Sequence, residues 1–281
     1  MAALILVLGD QLTDSLPVIA GAVKSKDTIL MAEVREEATY VKHHKKKIAF
    51  LFSAMRHFAE HLRDNNYQVN YVHYTNEGNQ GDLLAQVRHT LSRQHFDEVK
   101  VTVPGEYRLL KSMQQWQNQL GIPVTICEDN RFFSTPNEFS EWADGKKQLR
   151  MEFFYRQMRQ RYHLLMDGGQ PAGGKWNYDA DNRSGWRNQR DIPQRPDVPI
   201  DDITSAVIAE VNQRFPSNPG NLNEFRLAVT RSDAERQFDW FVTYALADFG
   251  TYQDALVEES PWVFHGLISM YINCGLLDPL A

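Results

Sequence analysis

One pattern constrains this chain more than any other. Five short β-rich runs alternate with helical stretches over its first 127 residues. The runs are Leu4–Leu8, Thr28–Val34, Gln68–Tyr74, Glu98–Val103 and Val124–Cys127. Such alternation predicts βαβ units and a parallel sheet covered by helices on both faces. The clearest helix lies between the second and third runs. There Ile48, Leu51, Phe52, Met55, Phe58 and Leu62 recur at the 3.6-residue period and make one apolar stripe. Lys45, Lys46 and Lys47 open that helix, the unfavourable end of its dipole unless an anion or an acidic side chain lies close. Crossovers in such a sheet are right-handed, and a ligand binds beyond the carboxyl ends of the strands.

Those strand ends carry Gly9-Asp10-Gln11, Ala32-Glu33-Val34 and Pro104-Gly105-Glu106. Gly9 and Gly105 let a ring approach the backbone. Asp10, Gln11, Glu33 and Glu106 offer hydrogen-bonding groups, although turn chemistry or helix capping accounts for each taken singly. No G-x-G-x-x-G and no G-x-x-x-x-G-K-[ST] occurs, which argues against dinucleotide and P-loop sites of the common kind. There is no G-x-S-x-G elbow and no H-E-x-x-H, and the adjacent His43 and His44 cannot face one metal as an i, i+4 pair does.

Beyond the sheet the chain reads as helical. Thr135-Pro136-Asn137-Glu138 is a capping box, and Lys146–Met166 reads as a basic, aromatic helix broken by paired glycines. An irregular stretch from Lys175 to Ile200 follows, with Trp176, Trp186 and three prolines. Ser232-Asp233-Ala234-Glu235 reads as a second capping box. The helix it opens is expected to stop at Gly250.

Charge follows this division. The chain carries −6 overall, yet residues 142–195 hold eleven Lys/Arg against six Asp/Glu. A local excess of that size suits a basic face for phosphates, and equally a solvated helix with a polar linker. Aromatics interleaved with arginines fit stacking on distorted or single-stranded nucleic acid, or tryptophans packed on a domain surface. Two cysteines, Cys127 and Cys274, are too few for a disulfide framework, a Cys₄ zinc site or a cluster site within this chain. No apolar stretch approaches the roughly 20 residues of a membrane span, so a cytoplasmic protein is expected.

Several longer stretches carry a resemblance. They include Leu6-Val-Leu-Gly-Asp-Gln-Leu12, Ala38-Thr-Tyr-Val-Lys-His-His-Lys-Lys-Lys-Ile-Ala-Phe50, Phe52-Ser-Ala-Met-Arg-His-Phe-Ala59 and Pro104-Gly-Glu106. Further along come Met151-Glu-Phe-Phe-Tyr-Arg156, Gly174-Lys-Trp-Asn177, Ala228-Val-Thr-Arg-Ser-Asp-Ala-Glu235 and Tyr271-Ile-Asn-Cys-Gly-Leu-Leu277. Together they resemble the bacterial photolyase-related proteins, the iron–sulfur branch of the cryptochrome/photolyase superfamily that includes the prokaryotic (6-4) photolyases. The resemblance runs through the chain in order.

It implies a Rossmann-like antenna domain over residues 1–134, a basic helical and irregular linker over 135–200, and the start of an all-helical FAD-binding domain over 201–281. It also implies light-driven electron transfer from reduced FAD to UV-damaged pyrimidine pairs in DNA, (6-4) photoproducts being the expected lesion. A 6,7-dimethyl-8-ribityllumazine antenna would be lined by Gly9, Asp10, Gln11, Glu33, Glu37, Tyr40, Leu51, Gly105 and Glu106. A partial FAD pocket would involve Phe249, Gly250, Gln253, Asp254, His265, Leu267, Ser269 and Asn273. DNA phosphates would meet Arg183, Arg187 and Arg190, with Trp186 among them.

Family chains also hold a [4Fe–4S] cluster on four late cysteines, and neither Cys127 nor Cys274 matches a ligand position. The catalytic region is expected outside these 281 residues, so no catalytic residue and no metal ligand is named. The full-length family member is expected to be a carbon–carbon lyase, and this chain alone, a monomer, to be inactive. The alternatives are a stand-alone module that binds a chromophore or nucleotide without catalysis, a blue-light signalling cryptochrome, and a protein acting only through contacts with partners.

Overall fold

The computed structural model describes residues 1–178, 182, 185, 191–258 and 260–280. Two compact units emerge. The first joins Met1–Arg131, Pro196–Gln237 and Ile268–Ala281; the second joins Phe132–Arg195 and Phe238–Leu267.

The first unit is an α/β fold on a five-stranded parallel sheet. Its strands are β1 (Ala3–Leu6), β2 (Thr28–Ala32), β3 (Gln68–Val72), β4 (Glu98–Thr102) and β5 (Val124–Cys127), in the order β3-β2-β1-β4-β5. Leu4 pairs with Thr28 on one side and with Val99 on the other. Every residue of β1 is buried, as a central parallel strand covered on both faces requires. Side chains alternate across the sheet. Leu4, Leu6 and Leu8 join a core with Leu30, Val99, Val101, Leu83, Val87, Met113 and Trp116.

The helices of this unit begin with α1 (Pro17–Ala20), α2 (Arg35–Thr39), α3 (Lys45–Asp64), α4 (Leu83–Arg93), α5 (Tyr107–Met113) and α6 (Trp116–Leu120). Helix α3 buries Ile48, Phe52, Met55, Phe58 and Leu62, the expected stripe, while Leu51 at its edge is half-buried. No acidic residue sits in its first turn. The three lysines are accommodated otherwise. His44 caps the helix, its Nδ1 accepting from the Lys46 N–H at 3.0 Å, and the Lys45 N–H donates to the Pro219 carbonyl at 2.9 Å.

The second unit opens with α7 (Pro136–Ala143), whose capping box is complete: Thr135 Oγ1 accepts from the Glu138 N–H, and Glu138 Oε2 from the Thr135 N–H. The long helix expected over Lys146–Met166 is shorter. Helix α8 runs Met151–Tyr162, because Gly145 takes a left-handed φ before it and His163 does so at its end. A two-residue hairpin, Met166–Asp167 with Gln170–Pro171, follows.

The sequence divides the chain at residues 134 and 200, whereas the contacts return residues 196–237 to the first unit. The reason is α9 (Asp202–Arg214), which lies against α3. Phe215, just after it, packs on Tyr74 and Phe52 with ring centroids 5.0 and 6.4 Å away. The next helix, α10 (Arg231–Trp240), is capped two residues earlier than expected. Thr230, not Ser232, accepts from the backbone N–H three residues on, at Asp233. A π-helical turn (Phe241–Ala245) leads into α11 (Leu246–Tyr252), so the helix passes through Gly250 instead of stopping there. The last helix, α12 (Ser269–Cys274), ends at Gly275 in the left-handed region.

Candidate functional site

In the order β3-β2-β1-β4-β5 the winding reverses at β1. An open α/β sheet binds ligands in the crevice outside the carboxyl ends of the strands at such a reversal. Here that crevice lies beyond β1 and β4, between Gly9-Asp10-Gln11 and Pro104-Gly105-Glu106.

The two loops face each other. A Cβ on Gly105 would lie 3.6 Å from Asp10 Oδ2, and a Cβ on Gly9 would come within 2.9 Å of Met55 Sδ on α3. At Gly9 a side chain would collide with Met55, whereas at Gly105 a Cβ would make only ordinary contact with the Asp10 carboxylate. Gln11 is fully buried and stitches the floor. Its Nε2 donates to the carbonyls of Thr102 and Val103 at 3.4 and 3.3 Å, and its Oε1 accepts from the Leu8 N–H at 3.3 Å. Its side chain is thereby committed to joining β1 to β4.

Asp10 is different, having no ion-pair partner among the described residues. Burial raises its carboxyl above the usual range, with Arg131 pulling the other way. Arg131 is clamped by Asp129 at 2.6 Å and donates to the Asp10 carbonyl, fixing the loop's backbone while leaving the carboxylate available. The Asn273 carbonyl lies 3.4 Å from the same guanidinium, and the Leu12 N–H donates to the Cys274 carbonyl at 2.7 Å. The end of α12 therefore borders this loop.

Across the crevice Arg108 gathers three carboxylates. Its Nη2 donates to both oxygens of Glu37 at 2.8 and 2.9 Å, its Nε meets Glu106 at 2.9 Å, and its Nη1 reaches Glu36 at 3.5 Å. Its guanidinium also lies 4.8 Å from the Tyr40 ring centroid. Burial raises the Glu37 carboxyl, opposed by the Arg108 hydrogen bonds. Neither Arg108 nor Arg131 was legible as a site residue in the sequence. Their partners lie up to 121 residues away, outside any local period.

Glu33 has another occupation. It is 1% exposed, with Arg56 on both oxygens at 2.7 and 2.8 Å. The Tyr71 hydroxyl donates to it at 2.6 Å and the Tyr74 N–H at 2.8 Å. Arg56 continues to Glu210 on α9 at 2.8 Å. All of Glu33's visible partners are internal, so it supports the wall and presents no open acceptor. Around these strand ends Gly105 lies beside Asp10, Gly9 lies against Met55 on α3, and Arg108 draws Glu37, Glu106 and the Tyr40 ring together.

The residues expected around FAD do not gather in one unit. Phe249, Gly250, Gln253, Asp254, His265 and Leu267 belong to the second, Ser269 and Asn273 to the first. Within the second, Phe249 packs on His265 at 5.7 Å, and His265 Nδ1 accepts from the Leu267 N–H. Arg183, Trp186, Arg187 and Arg190 lie outside the described residues. Among the described residues no group of three or more His, Cys, Asp or Glu is placed to hold a metal, and no helix is long and apolar enough to cross a membrane.

Comparison with known proteins extends these observations. Over 280 residues the chain is 47% identical to a (6-4) photolyase of Agrobacterium fabrum, spanning all of this chain and 55% of that protein. It is 25% identical over 142 residues to the uncharacterized protein R852 of Acanthamoeba polyphaga mimivirus, covering 49% of this chain and 69% of the other. In fold it is similar to a bacterial class III photolyase from Agrobacterium tumefaciens, with a TM-score of 0.59 at 12% identity, over 100% of this chain and 52% of that one. The chain thus spans about half the length of the photolyases it matches. The profile described as deoxyribodipyrimidine photo-lyase-related protein matches residues 5–227, and the chain belongs to that family.

Proposed function

We propose that this chain is the light-harvesting part of a photolyase. In that reading a lumazine antenna, 6,7-dimethyl-8-ribityllumazine, sits in the crevice between β1 and β4, and its excitation energy feeds repair of UV-damaged DNA. The observation that carries the reading is the crevice itself: an acceptor-rich cleft at the strand-order reversal of a photolyase-related chain.

The residues present fit such a group. Gly105 leaves the backbone bare beside Asp10, where a flat ring system would pass. Asp10, Glu37 and Glu106 offer acceptors to hydroxyl and N–H donors, and Tyr40 and Leu51 offer apolar surface. The lumazine would supply absorption in the near-ultraviolet and blue. For the whole protein we propose electron transfer from reduced FAD to a (6-4) photoproduct, in keeping with its 47% identity to a (6-4) photolyase of which it spans 55%. Two cysteines do not by themselves complete a four-thiolate [4Fe–4S] cluster.

Titrating the purified chain with 6,7-dimethyl-8-ribityllumazine and following its fluorescence tests the reading. The wild type is expected to bind and Leu51→Trp to lose binding, because an indole fills the cleft without adding a buried charge. Equal binding by both would place the chromophore elsewhere.

A further inference from the structure

The second unit holds a cavity of about 770 Å³ that shares no residue with the crevice, a size typical of small-molecule sites. Phe132, Phe154, Tyr155, Trp176 and Tyr178 are among its walls, and Arg159 of α8 lines it too. Phe132 is 61% exposed and Tyr155 48%, so these rings are open to whatever enters.

Arg159 is the odd member of this wall. It is 6% exposed, yet no carboxylate pairs with it among the described residues. An arginine so buried is ordinarily paired, because an uncompensated buried charge is destabilising. Its Nε donates to the Leu164 carbonyl at 3.0 Å and its Nη2 to that of Leu165. Its guanidinium lies 5.3 Å from the Trp176 ring centroid and 5.7 Å from that of Tyr155. Two carbonyls and two rings hold the group in place without neutralising it. Its Nη1 donates to no acceptor among the described residues, and that nitrogen is not sealed from solvent. The acid in the wall, Glu152, is already taken by Arg156. Arg156 also lies 5.3 Å from the Trp176 centroid, so that ring is occupied by cations and has no face to offer a ligand.

We propose that this cavity binds a small aromatic carboxylate, which accepts from Arg159 Nη1 and sets its ring system against the Phe132, Tyr155 and Tyr178 walls. One carboxylate supplies the single negative charge that Arg159 lacks, through a charge-assisted hydrogen bond. A flat aromatic body makes offset and edge contacts with the wall rings that an alkyl chain does not. A polyanion fits worse, because the second unit carries more Asp/Glu than Lys/Arg and opposes any charge beyond the one matched to Arg159. A cation is repelled by Arg159 itself. The inference is independent of the antenna reading, since it uses none of the same residues.

Isothermal titration calorimetry of the 281-residue chain with β-naphthoate tests it, with β-naphthamide as the neutral counterpart of the same shape. The acid is expected to bind at least about tenfold more tightly than the amide, the worth of a hydrogen bond to a charged group. Arg159→Gln, which keeps a donor for the Leu164 carbonyl, is expected to erase that preference. Tyr155→Ala is expected to weaken both ligands severalfold. Should Arg159→Gln not fold, judged by its thermal transition, the acid-to-amide ratio in the wild type and the loss in Tyr155→Ala decide together. No binding of naphthoate, equal affinity for acid and amide, octanoate or acetate binding as tightly as naphthoate, a full preference for the acid in folded Arg159→Gln, or unchanged affinity in Tyr155→Ala would each overturn the proposal.

Discussion

Replacing Arg56 with Met keeps the side chain's reach and apolar stem but removes the guanidinium from between two carboxylates. In the native unit Arg56 binds Glu33 through Nε and Nη2 at 2.7 and 2.8 Å and Glu210 through Nη2 at 2.8 Å. The Glu33 side chain is fully buried, and those of Arg56 and Glu210 are 10% and 15% exposed. Arg56→Met leaves one carboxylate fully buried and a second nearly so, with no cation. Breaking a buried pair by removing one partner costs about 3–5 kcal/mol. A unit of this size loses about 2–4 °C of Tm per kcal/mol, so a fall of roughly 6–20 °C is expected. Circular dichroism against temperature at neutral pH measures it. Glu210→Gln is the internal control. Glu210 Oε1 has no hydrogen-bond partner among the described residues, and Glu33 keeps its own contacts, so a cost of about 1 kcal/mol is expected. Adding Glu33→Gln to Arg56→Met should recover part of the loss. A fall of less than about 2 °C in Arg56→Met would refute the view that this network is desolvated and couples α9 to the sheet.

Further outcomes follow from other residues. Asp10 has its carboxyl pK raised by burial, so its contribution to stability is present at low pH and is lost as pH rises through the folded value. Asp10→Asn should therefore raise Tm at neutral pH and converge with the wild type in acid; a gain that persists unchanged at low pH would contradict this. Thr230→Ala should cost about 1 kcal/mol in chemical denaturation while Ser232→Ala costs little, and the reverse order would restore the cap to Ser232. Burial pushes the Cys274 thiol up to about 11, whereas Cys127 is raised less and is half-buried. Alkylation at mildly basic pH, followed by mass spectrometry, should label Cys127 first; equal rates would argue against a closed environment at Cys274.

The sequence made the sheet legible because a central parallel strand must be apolar on both faces, and Leu4, Ile5 and Leu6 satisfy that without help. Helix α3 was legible for a similar reason: its stripe is a local period. The capping box at Thr135 needs only four residues. What stayed hidden depends on partners far along the chain. Glu33 looked like a ligand group at a strand end, and only the arrival of Arg56, Tyr71 and Tyr74 shows that its oxygens are taken. Arg108 and Arg131 carry no motif, and their roles come from where α2 and the β1 loop place carboxylates and carbonyls. The choice between Thr230 and Ser232 as cap turns on two residues of helix start, which composition cannot separate. Residues 201–237 read as a new domain because helices follow a polar linker; apolar burial against α3 decides otherwise.

The first unit is assembled from three separate stretches, which sets an order on events during synthesis. When residue 131 leaves the ribosome all five strands exist, but Glu210 and Phe215 have not been made and α12 is 138 residues or more behind. At about 5–20 residues per second, the next 150 residues take roughly 8–30 s. Through that interval the nascent sheet carries Phe52 without its later aromatic neighbour, and Arg56 with one carboxylate instead of two. The window invites a chaperone or a transient misassembly. It also means that a truncation at residue 131 is a stalled intermediate of this fold, not a smaller version of it.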